Sequence, residues 1–190
     1  MTNYNEQYYI LDTFYNDNQL HITADNKTSN RNYEYEKLVP SGVPLFFENS
    51  FKDKEKALGR KRLLTDVLFD GSSLVVVYKI HDFLKMFSTK GMQLYPAIYI
   101  DDDTNWHENY WYLNFFEKLD CWDRKLSVLE TFDDEDDDFD AEIRKYYLDK
   151  KVLDAIPEEQ RYLFKMGGAT ESYIFAHERL VDIFKRRNYT

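Results

Sequence analysis

"SLVVVYKIHDFLKMFSTKGMQLYPAIYID", residues 73–101, is the stretch that decides how this chain is built. It opens on an unbroken apolar run, Leu74 to Val77, in which three residues are β-branched. Such side chains are stiff at χ1 and pack well on a pleated surface. A run without polar alternation reads as a strand covered on both faces. The period then changes. Ile80, Phe83, Leu84 and Phe87 recur at helical spacing, with Gly91 as the stop. "MQLYPAIYID" (92–101) returns to strand character, and Pro96, which has no N–H for a ladder, predicts an edge strand or a bulge. The polar "DDTNWHE" (102–108) leads into "NYWYLNFF" (109–116), a second strand, so a hairpin is predicted here.

Working outward, "QYYIL" (7–11) is a strand and "HITADNKTSNRN" (21–32) a long polar loop. "VPSGVPLFFE" (39–48) ends in a short apolar strand, and "KDKEKALGRKRLLTDVLF" (52–69) has helical leanings with its charges balanced. "AEIRKYYLDKKVLDAIPEEQ" (141–160) gives a mixed signal. Near the end come "YLFKM" (162–166), a turn at "GGATE", the strand "SYIFAHE" (172–178) and the helix "RLVDIFKRRN" (179–188). The basic end of that helix suits the negative pole of its dipole. Residues 67–87 and 164–184 echo one another without gaps, with Gly71 on Gly168, Val77 on Ile174 and Phe87 on Phe184. Two readings of the echo stand: two related strand–turn–strand–helix halves, or a pattern that any such unit shows. The fold class expected is α+β, mainly antiparallel sheet with a few short helices. The expected organisation is one domain over 1–190, divisible into lobes of about 1–91 and 92–190.

The formal charge is −10, and phosphates repel an acidic protein, so a nucleic-acid partner is not expected. Most of that charge sits in "ETFDDEDDDFDAE" (130–142). Asp133, Asp134, Glu135, Asp136, Asp137, Asp138, Asp140 and Glu142 carry −8 with no Lys or Arg among them, which leaves −2 for the rest. A metal, a basic partner, or water and salt around a solvated loop could each relieve the repulsion. Calcium loops alternate their ligands and turn at a central Gly, which this run lacks. Neighbouring carboxylates on an extended chain also point in opposite directions. The run is therefore read as a partner-binding segment for a protein with a basic surface, with no metal.

Other chemistry is sparse. His21, His81, His107 and His177 are scattered, and none lies at metal-ligand spacing from another His or a Cys. Asp101, Asp102, Asp103 and His107 form the best local cluster, but a solvated hairpin tip explains them more simply. Cys121, the single cysteine, excludes an internal disulfide; Asp120 and Asp123 beside it disfavour a reactive thiolate. Trp106, Trp111 and Trp122 read as interface anchors or as sheet residues. There is no Gly-rich phosphate loop, no recognisable triad and no implied cofactor, so the chain is not read as an enzyme. Residues 1–7 carry no apolar signal core, and the longest apolar run is too short to span a bilayer. A soluble protein of the cytoplasm, with no membrane partner, is expected, or one exported without a cleaved signal.

Four segments in order carry a resemblance: the early "YYIL"; "LVVVYKIHDFLKMFSTKGMQLYPAIY"; "YWYLNFFEKLDCWDRKLS"; and "LFKMGGATESYIFAHERLVDIFKRR". Together they resemble the immunity protein 11 family of bacterial polymorphic toxin systems. The match is strongest over 74–127 and 162–187; residues 12–61 lie outside it, and the acidic run belongs to no family motif. The resemblance implies a non-catalytic antidote that binds a cognate toxin domain in the producing cell. Many such toxins are nucleases with cationic clefts, where an acidic segment would stand in for phosphates. An intracellular scaffold and an enzyme of unrecognised type are the alternatives.

Overall fold

The computed structural model describes residues 3–13, 18–71, 73–129 and 142–189. The chain forms two compact units that interleave along the sequence. One comprises residues 1–12, 88–91 and 117–187; the other comprises 13–87, 92–116 and 188–190. Neither is a continuous half of the chain. The class is α+β, as the sequence predicts.

The larger stretch, 13–87 with 92–116, builds a six-stranded sheet. Its strands are β2 (Ile22–Ala24), β3 (Leu45–Asn49), β4 (Val67–Asp70), β5 (Ser73–Val77), β6 (Met92–Ile100) and β7 (Trp106–Phe115). Their spatial order is β2-β3-β6-β7-β5-β4, with only β3 and β6 parallel. The valine run behaves as read: every residue of β5 is buried, between β4 and β7. The predicted hairpin is the antiparallel β6–β7 pair. Pro96 departs from one expectation. Strand β6 is flanked on both sides, so Pro96 is not on an edge. The β3 ladder begins one residue later, at Leu45 opposite Ala97, and the β6–β7 register shifts between Ala97 and Tyr99. The missing N–H therefore falls where the ladder is locally incomplete.

The helices α2 (Asn26–Ser29), α3 (Lys52–Ala57) and α4 (Tyr78–Leu84) are short. Residues 21–32, expected as a loop, instead hold β2 and α2, because Asp25 caps the helix by accepting from the Thr28 N–H at 2.7 Å. Helix α4 ends well before Gly91. Its last turn tightens to three-residue bonds, Met86 N–H to Phe83 and Phe87 N–H to Leu84, which closes it early.

The other unit holds a four-stranded sheet in the order β1-β12-β11-β8. These are β1 (Tyr8–Leu11), β8 (Lys118–Leu119), β11 (Leu163–Met166) and β12 (Ile174–His177). A separate antiparallel pair joins β9 (Val128–Leu129) to β10 (Ile143–Lys145). Helices α1 (Tyr4–Gln7), α5 (Lys150–Asp154) and α6 (Glu178–Arg187) complete it. Cys121, Trp122, Leu153, Phe164, Met166 and Phe175 pack as its core. The echoed segments are strand, turn, strand and helix in both units. Yet Val77 ends β5 whereas Ile174 begins β12, so the gapless alignment does not match equivalent positions. The second turn is longer, and its helix starts correspondingly later. Among the described residues, no helix is long and apolar enough to cross a membrane.

Arg161 is buried, and its guanidinium is bonded by neutral oxygens. Its Nη1 donates to the Tyr8 hydroxyl at 2.8 Å, its Nη2 to the Tyr4 hydroxyl at 3.2 Å and its Nε to the Ile156 carbonyl at 3.0 Å. The Tyr8 hydroxyl donates in turn to the Arg161 carbonyl at 3.1 Å. Burial pushes the Tyr8 phenol up to about 12, against the pull of the cation, so Tyr8 stays neutral. Tyr8→Phe leaves two of these groups unsatisfied in the interior. It should cost about 1–3 kcal/mol in urea denaturation.

His177, also buried, accepts the Arg179 N–H on Nδ1 at 3.2 Å, at the start of α6. Burial lowers its pKa below the ordinary 6.5. The unfolded chain therefore takes up this proton more readily than the fold does. The contribution is fully present above pH 6.5 and shrinks as the pH falls through that value. Half-buried His81, shifted the same way, adds to the trend. Urea midpoints should fall between about pH 7.5 and 5.5, and fall less in His177→Asn.

Candidate functional site

The acidic run has a frame that its own residues do not reveal. Leu129 pairs with Ile143, and Val128 with Lys145, so the two ends of the run enter and leave through adjacent strands. Asp133, Asp134, Glu135, Asp136, Asp137, Asp138 and Asp140 lie outside the described residues. Glu142, the last of the set, is half-buried immediately before β10.

The arm formed by β9 and β10 stands on a well-bonded base. Asp123 accepts the N–H groups of Lys125 at 2.8 Å and Leu126 at 3.1 Å, a side-chain-closed turn. Its own N–H donates to the Tyr147 carbonyl at 2.7 Å. The Ser127 hydroxyl accepts the Tyr147 N–H at 2.9 Å and donates back to that carbonyl at 3.3 Å. Beneath them the Trp122 indole donates to the Gly168 carbonyl at 2.9 Å, and Arg124 lies 3.9 Å over the Trp122 ring while pairing with Asp120. Gly168 sits at φ +66, where a Cβ would come within 2.5 Å of Arg124 Nη2. A side chain there would be strained and crowd the Arg124–Asp120 pair. Cys121 is fully buried in this base, and burial together with Asp120 and Asp149 pushes its thiol up to about 12. It is a packing residue beside Trp122, not a nucleophile.

Leu126, Val128 and Leu129 behave differently. They are 61%, 46% and 42% exposed; Leu126 lies in the turn, and Val128 and Leu129 are on a ladder that has no third strand among the described residues. Alongside β10 runs a groove of about 480 Å³. Tyr8 and Ile10 of β1 line it with Asp12 just beyond that strand, together with Arg144 and Lys145.

The carboxylate cluster at the β6–β7 tip falls in the second unit. Asp101 closes the β6–β7 tip: it accepts the N–H groups of Asp103 at 3.0 Å and Asn105 at 2.8 Å, and contacts His107 Nε2 at 3.1 Å. Burial alone would raise its pKa, but the hydrogen bonds from Asn105, His107 and Asp103 outweigh that and hold it well below the usual range. Asp102 accepts from Asn49 at 3.2 Å, and the same amide donates to buried Glu55 at 2.8 Å, which also pairs with Arg62. The tip carboxylates are thus hydrogen-bond acceptors in a structural network. Among the described residues no group of three or more His, Cys, Asp or Glu is placed to hold a metal ion. His81 stacks on Trp111 at 3.8 Å and His21 meets Phe51 edge-on at 6.3 Å. Of the three tryptophans Trp122 is buried, whereas Trp106 is 58% exposed against Phe46.

The sequence profile described as Immunity protein family (Imm11) matches residues 7–190. The chain belongs to the Imm11 immunity protein family. Comparison with curated proteins finds no match. The family match takes in residues 12–61, which the four resembling segments leave out, so the six-stranded sheet is as much part of the Imm11 match as the arm-bearing unit. Membership of Imm11 implies a toxin as partner in general terms. The β9–β10 frame escaped the sequence reading because strands of two and three residues leave almost no periodic signal; the apolar bookends Val128–Leu129 and Ile143 were its only trace.

Proposed function

We propose that this protein binds the toxin domain of a cognate bacterial effector in the cytoplasm of the producing cell and neutralises it without catalysis. It does so by covering the toxin's active or substrate-binding site. The segment that reaches that site is the acidic run, with Asp133, Asp134, Glu135, Asp136, Asp137, Asp138, Asp140 and Glu142 facing a basic surface on the toxin. The observation that carries this reading is the frame: in a chain of the immunity family, two paired strands hold both ends of a −9 segment at one place on the body. A segment tethered at both ends loses less freedom on docking than a free tail does. Its clustered charge steers a cationic partner over distances near a Debye length. A nuclease, with a cleft shaped for phosphates, is the toxin such a segment fits best. The partner's lysines and arginines then relieve the repulsion among the carboxylates.

The test uses the product of the reading frame beside this gene, recovered as a complex, separated in denaturant and refolded on a sensor surface. Replacing Asp133 through Asp138 by Ser should slow association about tenfold or more at low salt and flatten its salt dependence. An unchanged rate and an unchanged salt slope would remove the acidic run from the contact.

A further inference from the structure

We infer that the β9–β10 arm supplies the apolar half of the partner contact: Leu126, Val128 and Leu129 seat in a nonpolar patch within the toxin's cationic face and set how long the complex lasts. This rests on the reading of the protein as a toxin antidote. Three aliphatic side chains, each more than two-fifths exposed, gather within four residues. Soluble proteins scatter such residues singly; with Leu126 on the turn and Val128 and Leu129 on the two faces of β9, the start of the arm is apolar on more than one side, a surface meant to be covered. Short exposed strands are also where backbone N–H and C=O groups remain open to another chain.

The identity of the cover follows from what continues out of the arm. The chain runs directly from Leu129 into the segment 130–142, which carries −9, and returns at Ile143 opposite Leu129. Whatever docks on the arm therefore meets that charge beside it, which selects a cationic protein surface and disfavours a second copy of this acidic chain. Stable interfaces combine a dry apolar centre with a charged surround. Charge governs the rate of encounter, whereas buried apolar contacts govern the rate of escape. The Asp123 turn and the Ser127–Tyr147 bonds fix the base of the arm, so little backbone order has to be gained on docking.

The two contributions separate kinetically. The variant Leu126→Ser, Val128→Thr, Leu129→Thr keeps strand-compatible side chains in the ladder and removes the apolar surface. Against the immobilised product of the neighbouring reading frame, it should dissociate about tenfold or more faster, with the association rate within about twofold of wild type and the same salt slope. Leu126→Ser alone, outside the ladder, should show part of the effect. A matching thermal melt checks that the arm's unit is intact. An unchanged dissociation rate in both variants, with wild-type binding present, overturns the arm while leaving the antidote reading in place. Faster dissociation of the arm variant, combined with no effect of the Asp133–Asp138 substitutions, supports the arm and removes the acidic contact. No binding by the wild-type protein overturns both.

Discussion

A guanidinium buried among tyrosines holds together the unit that carries the acidic segment. Arg161 cannot leave its charge unsatisfied in the interior, so Tyr4, Tyr8 and the Ile156 carbonyl must stay where they are. That requirement fixes the N-terminal residues against a segment 153 positions beyond Tyr8 in the chain. Much follows from it. Tyr8 begins β1, which closes one side of the four-stranded sheet. Asn5, between the two tyrosines, accepts the Leu148 N–H at 2.8 Å, and Leu148 bridges to Trp122. Trp122 and Cys121 in turn underlie the Asp123 turn from which the arm rises. The position of the β9–β10 arm thus depends on contacts made by the first residues of the chain.

Confinement explains how the protein carries so much like charge. The body is close to neutral, and several of its ion pairs among the described residues are local and exposed: Arg124 with Asp120, Lys150 with Asp154, Lys85 with Asp82. Such pairs contribute little to stability. In the sequence, nine carboxylates are gathered between two short strands, at 130–142. We read that charge as one surface. On our reading that surface meets the toxin, with the exposed leucines and valine beside it and the buried groups beneath them as its foundation.

Strong local patterns were legible in the sequence. The valine run, the β6–β7 hairpin and the closing strand–turn–strand–helix each announce themselves through periodicity, and the structure keeps them. Features that depend on distant partners were not legible. Pro96 suggested an edge or a bulge; the register shift just beyond it fits the second, and the edge failed because a sequence does not show that β3 pairs in parallel with β6 only from Ala97 onward. The polar 21–32 stretch looked like a loop because β2 has three residues and forms only by pairing with β3. Interleaving of the two units follows from β1 joining β12 across nearly the whole chain, which no local window contains. At the candidate site, composition alone picked out the acidic run, but the β9–β10 frame is too short to leave a pattern. The Asp101 cluster was visible as a set of carboxylates; its role as a hydrogen-bonded tip depends on the turn that the fold brings around it.

The most direct test of the antidote reading is growth. The reading frame beside this gene would be expressed in a bacterium from an inducible promoter, with and without this protein, and colonies counted alongside co-purification. The neighbouring product alone should arrest growth, this protein should restore it, and the two should be recovered as a stable complex. A neighbouring product that is harmless, or toxicity that this protein leaves untouched with no complex formed, would contradict that reading.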